Sequence, residues 1–517
     1  MTDILFGQSY YLRFDPKLWE AMQPYPPLGT LYAAAWLRSL GYEVALFDAM
    51  LAGSEEEWAR ALDAHRPRLA VLYEDNFNYL SKMCLLRMRQ AALRMIGMAR
   101  ARGCQVIAAG ADASDHPELY LQAGADFVLL GEGELTLGEL AAHLSGREAP
   151  PPGEIPGLAF LEPDGSGALH RTRPRPALRD LDSLPFPAWD LVDMERYRGL
   201  WLRRHGYFSL NLATTRGCPF HCNWCAKPIW GQRYNSRSPE NAAAELKLLK
   251  ERYAPDHIWI VDDIFGLKPG WAAEFAHRVQ ANGARTPFKS LNRADLLLRP
   301  GEIEALKRAG CETVWMGAES GSQAVLDAMD KGLRVEAIYT ATAHLRRAGI
   351  RVGFFLQFGY PGETLEDIRR TLRMAAECDP DDIGISVSYP LPGTPFFEMV
   401  RARLGERQNW QDSGDLAMLY QGPYSTAFYR QLHRVAHLEH RRRRALGVLR
   451  GKAPPARASA RPAPRWRSLA RLGLDSARLL PARLRLRWLA RRSNPLIEPL
   501  PARLPPSEAA VPTRQET

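Results

Sequence analysis

The sequence predicts an α/β protein in three parts: a doubly wound N-terminal domain, a partial (β/α)6 barrel, and a basic C-terminal tail that is helical or disordered. Three observations carry this expectation. Short apolar runs alternate with longer amphipathic stretches in two separate series, as parallel strands covered by helices on both faces do. A Pro- and Gly-rich stretch, Ala149–Gly157, divides the series. Beyond about residue 405 the alternation stops and Arg, Ala and Pro dominate.

In the first series, residues 1–148, the expected strands are Ile4–Phe6, Glu43–Phe47, Leu69–Tyr73, Gln105–Ala109 and Phe127–Leu130. The expected helices are Gly29–Leu40, Glu55–His65, Tyr79–Arg102, Pro117–Ala123 and Glu134–Leu144. Five βα units of this size fit a flavodoxin-like sheet, whose ligands sit at the carboxyl ends of the strands. Those ends read Tyr-Glu-Asp-Asn (73–76), Gly-Ala-Asp-Ala (110–113) and Gly-Glu-Gly-Glu (131–134).

Residues 149–205 read as an extended linker wrapped on the surface. The second series, 206–404, has expected strands Phe208–Ala213, His257–Val261, Phe288–Leu291, Thr313–Gly317, Val352–Phe358 and Ile383–Ser388. Six strands with intervening helices suit a partial barrel, which places its active site at the strand C-termini. Residues 405–450 read as a helical extension and 451–517 as an Arg/Pro-rich basic tail.

A chain of 517 residues is too long for a single core. No apolar run reaches the roughly 18 residues of a membrane span, so no transmembrane helix is expected. The first twenty residues lack a basic stretch followed by an apolar one, so no secretory signal is expected and the chain reads as cytoplasmic. Residues 430–517 hold 21 Lys and Arg against 5 Asp and Glu, more than the whole chain's net +10, so the rest of the chain is net acidic. A nucleic-acid partner is therefore disfavoured, and the tail also lacks a base-stacking platform.

Seven cysteines are present, three of them within eight residues: Cys218-Pro-Phe-His-Cys222-Asn-Trp224-Cys225. Crowded thiols point to thiolate ligands in a reducing compartment rather than to disulfides. Three thiolates on a short loop after a strand can hold three irons of a four-iron cluster and leave the fourth open. Zinc is the competing ligand, but structural zinc takes four closed ligands, and no second Cys pair follows at zinc-finger spacing. The other four, Cys84, Cys104, Cys311 and Cys378, lie in apolar contexts and read as buried and inert.

The Cys-x3-Cys-x2-Cys triplet with an aromatic residue before its last Cys resembles the signature of radical S-adenosylmethionine enzymes. The resemblance implies a 4Fe-4S cluster on Cys218, Cys222 and Cys225, which would be both metal ligands and catalytic groups. The open iron would bind S-adenosylmethionine and cleave it to a 5′-deoxyadenosyl radical. Further fragments agree in order along the barrel: Val261–Phe265, Arg293, Gly317–Ser322, Gly359-Tyr-Pro361-Gly362-Glu363 and Pro392–Pro395. On this resemblance Trp224, Arg293, Glu319, Ser320, Gly321, Gly359, Pro361 and Gly362 contact S-adenosylmethionine. Asp262 and Asp263 read as solvated loop caps rather than catalytic acids.

A doubly wound domain ahead of such a barrel is similar to the cobalamin-dependent branch of the same superfamily. Pro26-Pro27-Leu28-Gly29-Thr30-Leu31-Tyr32 and Gly131-Glu132-Gly133-Glu134 carry that likeness. It implies cobalamin contacts at Leu28, Gly29, Thr30, Gly110, Gly131, Glu132 and Gly133. The Asp-x-His-x-x-Gly of many cobalamin domains is missing, since no His precedes Gly29. Cobalamin is accordingly expected without a protein histidine ligand. The fragment Asp48-Ala-Met50-Leu-Ala-Gly53 copies only the spacing.

Together these imply a methyltransferase acting on an unactivated carbon through the deoxyadenosyl radical and methylcobalamin. Two alternatives stay open: an oxidative cyclase or rearrangement enzyme with the same cofactors, and a non-enzymatic cobalamin carrier or sensor. Expected partners are a small-molecule or lipid substrate and an electron donor such as flavodoxin or ferredoxin. Basic residues interleaved with Leu and Trp at 465–474 and 483–492 allow peripheral contact with the inner membrane face, or else disorder.

Overall fold

A computed structural model describes residues 2–225, 229–451 and 465–492. Its first sheet contains β1 (Ile4–Gly7), β2 (Val44–Leu46), β3 (Leu69–Tyr73), β4 (Gln105–Ala109), β5 (Phe127–Leu129), β6 (Leu158–Leu161) and β7 (Leu169–Arg171). The order β2-β1-β3-β4-β5 is parallel throughout and is that of a flavodoxin-like fold. β1, β3 and β4 are apolar and buried along almost their whole length because helices cover both faces.

The expected helix Tyr79–Arg102 is two helices, Tyr79–Lys82 and Leu86–Arg100. Cys84 takes a left-handed φ of 52° between them. The break is held from far along the chain: Asn409 Nδ2 donates to the Cys84 carbonyl at 3.0 Å and Leu86 N–H donates to the Trp410 carbonyl at 2.9 Å.

Residues 149–205 are not an extended surface wrap. They extend the first sheet by β6 and β7, paired antiparallel, and then form the helix Met194–His205. Trp189, Tyr197 and Trp201 of this stretch are buried, and Trp201 Nε1 donates to the Pro24 carbonyl at 2.7 Å. Large aromatic side chains bury enough area to fix a segment otherwise rich in Pro and Asp.

The second sheet consists of β8 (Ser209–Leu212), β11 (His257–Ile260), β12 (Phe288–Asn292), β13 (Cys311–Glu319), β14 (Arg351–Phe358) and β15 (Asp382–Val387). All neighbours are parallel and in sequential order, as an open partial barrel requires. Alternate residues of β13 and β14 are buried under helices (Val314, Met316 and Ala318; Phe354 and Leu356). Of the intervening ones, Trp315 and Gly317 are partly accessible and Phe355 is 40% exposed, while Gln357 is buried. A separate ribbon, β9 (Thr215–Arg216) and β10 (Asn235–Ser236), pins both ends of the segment that carries the cysteine triplet.

After the barrel, Ser413 returns to the N-terminal domain, where its hydroxyl donates to Asp15 Oδ1 at 2.7 Å. Helix Thr426–Leu449 then packs against helix Arg465–Arg492, with Leu479 and Ala482 buried between Val435 and Leu438. The described part of the tail is therefore helical rather than disordered; residues 452–464 and 493–517 lie outside the described residues. No described helix is long and apolar enough to cross a membrane.

Candidate functional site

The cysteine segment leaves β8 through Thr214 and Thr215. Their N–H groups donate to Asp262 Oδ1 at 2.6 and 3.0 Å. Asp262, expected as a solvated cap, is fully buried, and its pKa is pushed up to about 7 by burial against these hydrogen bonds. Asp263 differs as well: its carboxylate pairs at 2.5 Å with Lys82 of the N-terminal domain. Gly217 then turns the chain with φ 81°, where a side chain would collide with the Arg233 carbonyl oxygen.

Between them lies Arg216, which sequence reading missed. It is buried and paired with Glu132 at 3.1 Å and Glu134 at 2.7 Å. Glu132 also accepts from Leu178 N–H at 2.6 Å. The Gly-Glu-Gly-Glu turn after β5 thus uses both carboxylates to hold the base of the cysteine loop.

Cys222 is buried, and Cys218 and Cys225 are partly so. Burial raises the Cys225 pKa first, and charge on Cys222, Asp263 and Cys218 raises it further, so the thiols share one field. Lys331 sits in that field. Its pKa is raised, despite burial, by Glu319 and Cys222, and it pairs with Glu319 at 3.0 Å. Arg293 lies over the ring of Phe220 at 3.9 Å and donates to the Gly332 carbonyl at 2.7 Å. Trp224 packs near Ala328 and Phe396, and its Nε1 is buried with no hydrogen-bond partner.

Asn223 was also missed, and it ties the loop to the three segments that follow β13, β14 and β15. Its Nδ2 donates to the Ala328 carbonyl at 2.8 Å, its Oδ1 accepts from Tyr360 at 3.2 Å, and its carbonyl accepts from Phe396 N–H at 3.0 Å. An Asn beside cysteines carries no signal that separates this role from a solvated loop residue.

The remaining expected barrel residues gather at the same end. Glu319 adopts φ 55°. The Ser320 hydroxyl is buried, lies 3.0 Å from Thr371 Oγ1 and accepts from Ser322 N–H at 3.1 Å, so it is engaged within its own turn. Gly321 packs against the backbone of helix Leu365–Cys378. Gly359 and Gly362 both have φ 81° and flank Tyr360-Pro361. Gly359 N–H donates to Glu363 at 2.7 Å, and the Gly359 carbonyl accepts from Tyr420.

Glu363 is fully buried with Oε1 unpaired, and burial pushes its carboxyl up to about 8. The folded chain therefore holds this proton more tightly than the unfolded one. Its contribution is present at low pH and lost as pH climbs from about 4.5 to about 8. Glu363→Gln should change stability little at pH 5 and raise it by on the order of 5 kcal/mol at pH 9, measured by denaturation at both values. An equal difference at both pH values would refute this.

In the N-terminal domain Leu28 is buried, Gly29 N–H donates to Asp75 at 2.9 Å, and the Thr30 hydroxyl donates to the Tyr73 carbonyl at 2.6 Å. Gly110, with φ 146°, allows close approach of Glu74, and Gly133 that of the Tyr73 ring. Gly131 has φ 78°. These expected contacts do converge at strand ends, yet they largely pack on one another. Beside them lie buried polar atoms without a partner: Gln8 Nε2, Tyr10 Oη, Glu74 Oε2 and Asn76 Oδ1. Gln8 was legible only as a polar interruption after an apolar strand. Asp48 is likewise engaged within the protein, accepting from the Tyr197 hydroxyl at 2.7 Å, and Met50 is buried in the core.

The two strand-end surfaces meet at Tyr79. Burial raises its hydroxyl pKa, with Cys225, Glu319, Tyr389 and Asp263 acting on it, yet 52% of its surface stays accessible. Three thiols that repel one another as thiolates, beside Lys331, fit a cationic iron–sulfur cluster. Orphaned amide, hydroxyl and carboxyl groups at the strand ends of the N-terminal domain fit an amide-rich ligand such as a corrinoid.

Residues 212–375 match the Radical SAM superfamily. An uncharacterized methyltransferase of Pyrococcus horikoshii is 31% identical over 290 residues, covering 55% of this chain and 60% of that protein. The cytidylyl-2-hydroxyethylphosphonate methyltransferase of Streptomyces wedmorensis is 26% identical over 428 residues, 72% of this chain and 77% of the other. An anaerobic magnesium-protoporphyrin IX monomethyl ester cyclase of Cereibacter sphaeroides is 29% identical over 282 residues, 53% of this chain and 45% of the cyclase. The chain thus spans less than two thirds of the first and third of these relatives. Among solved structures, the cobalamin-dependent S-adenosylmethionine radical enzyme OxsB has the same fold, with a TM-score of 0.68 at 17% identity over 94% of this chain and 72% of that one.

Proposed function

We propose that this chain, whose residues 212–375 match the Radical SAM superfamily, is a cobalamin-dependent radical methyltransferase acting on an unactivated carbon. The observation that carries the reading is the clamp between domains: Glu132 and Glu134 grip Arg216, two residues before Cys218. That contact turns the cysteine loop toward the carboxyl ends of the N-terminal strands, where two cofactors would need to face one substrate.

When bound, the cluster and S-adenosylmethionine would supply a deoxyadenosyl radical, and cobalamin the methyl group. Cys218, Cys222 and Cys225 would hold the cluster. Trp224, Arg293, Glu319, Gly359, Pro361 and Gly362 would contact S-adenosylmethionine. Ser320 and Gly321 would act by shaping the turn that presents Glu319. Lys331 offsets the thiolate charge. In the other domain Gln8, Tyr10, Glu74 and Asn76, near Leu28–Thr30 and Gly110, would meet the corrinoid, and no histidine is assigned to cobalt.

The substrate would be a small molecule or lipid, and a flavodoxin or ferredoxin would supply electrons. Peripheral membrane contact through helix Arg465–Arg492 would bring a lipid-soluble substrate within reach. Oxidative cyclisation is the second reading, favoured by the similarity to the anaerobic cyclase.

The test is anaerobic reconstitution with iron, sulfide and cobalamin, followed by S-adenosylmethionine and a reductant. The expected products are 5′-deoxyadenosine and S-adenosylhomocysteine with methylated corrinoid. Deoxyadenosine with unmethylated corrinoid would favour cyclisation. Failure to retain corrinoid would remove the N-terminal half of the proposal.

A further inference from the structure

Helix Arg465–Arg492 presents a second surface, far in sequence from the cysteine loop. Six of the thirteen exposed large hydrophobic side chains among the described residues lie on it: Trp466, Leu469, Leu474, Leu480, Leu484 and Trp488. At 3.6 residues per turn, Trp466, Leu469, Leu480, Leu484 and Trp488 fall on one stripe. The opposite face is fixed to the body. Leu479 and Ala482 are buried against helix Thr426–Leu449, Gln431 Nε2 donates to the Ala482 carbonyl at 2.8 Å, and Asp475 pairs with Arg441 at 3.2 Å. The stripe therefore cannot turn inward without breaking that packing.

Its borders are cationic. Arg478, Arg485 and Arg492, seven residues apart, run along one side and Arg487 stands on the other; all are exposed. The Arg492 guanidinium covers the Trp488 ring at 4.3 Å. The helix's single acid, Asp475, is on the buried face. We infer that this outward face is a docking surface for an anionic lipid bilayer, on which the helix lies flat. Its leucines and tryptophans would enter the headgroup boundary while the arginines meet lipid phosphates. A second copy of the chain is a poorer occupant, because its arginine rows would meet their own kind.

The inference deepens the membrane contact proposed above, needs none of the cofactor chemistry, and is tested on the full-length chain by sedimentation with vesicles. One set is pure phosphatidylcholine and the other contains phosphatidylglycerol. At least tenfold tighter association with the anionic vesicles, weakened by salt, is expected. Leu480→Glu with Leu484→Glu should abolish binding, and Arg478→Glu with Arg485→Glu should erase the preference for anionic lipid. Iron content and thermal stability of both variants should match the parent, because these side chains are exposed. Equal association with both vesicle types would overturn the inference. So would absence of vesicle binding together with a dimer, seen by light scattering, that Leu480→Glu dissolves.

Discussion

Replacing Cys222 with alanine will abolish cluster incorporation and bring S-adenosylmethionine cleavage down to the level of a protein-free control. Cys222 is the most buried of the three thiols, and its charge reaches Lys331. Two remaining thiolates cannot hold three irons of a cluster. The change removes little volume, so the fold should persist, and thermal denaturation of the apo-proteins should differ by less than about 1.5 kcal/mol. Cys84→Ala is the matched comparison: Cys84 is also buried, burial raises its thiol pKa, and it stands outside the loop. That variant should keep its iron. Cleavage that survives in the Cys222 variant would refute every radical reading of this chain.

Arg216→Met should destabilise the protein by about 3–5 kcal/mol, because it leaves Glu132 and Glu134 buried without their cation. Burial already raises the Glu132 pKa, chiefly opposed by Arg216. Without Arg216 the carboxyl will rise further and be held protonated more tightly in the fold than in the unfolded chain. The deficit should therefore shrink on acidification toward the ordinary glutamate range and widen as pH rises above it. Adding Glu132→Gln and Glu134→Gln to Arg216→Met should recover much of the loss, since uncompensated charge, not missing bulk, is its cause. Denaturation across pH measures all of this. A deficit under about 1 kcal/mol that does not vary with pH would show that the clamp does not hold the domains together.

Strand positions were nearly all legible. Leu69–Tyr73 and Gln105–Ala109 match residue for residue, and the six barrel strands differ only at their ends. Period and apolar content are local, and parallel strands buried on both faces give the strongest local signal of any element. The cysteine triplet was equally plain, because three thiols within eight residues have few uses. Element breaks set from a distance were not legible. The interruption at Cys84 depends on Asn409, and the burial of Asp262 depends on Thr214 and Thr215 folding back onto it.

By itself, then, the sequence determined the two βα series, their parallel sheets, and the loop that gathers three thiols. Each of these follows from periodicity or from adjacent side chains. Only the tertiary structure decided that the Gly-Glu-Gly-Glu turn clamps Arg216, that Lys82 of one domain pairs with Asp263 of the other, and that residues 149–205 join the first sheet and the core. It also decided which face of the C-terminal helix is buried and which is left to solvent. For the segment 149–205 and the C-terminal helix the reason is burial of apolar side chains against distant elements; for the ion pairs it is charge compensation. A charge leaves water only when a partner from elsewhere in the chain compensates it, and local sequence does not reveal which partner the fold will bring.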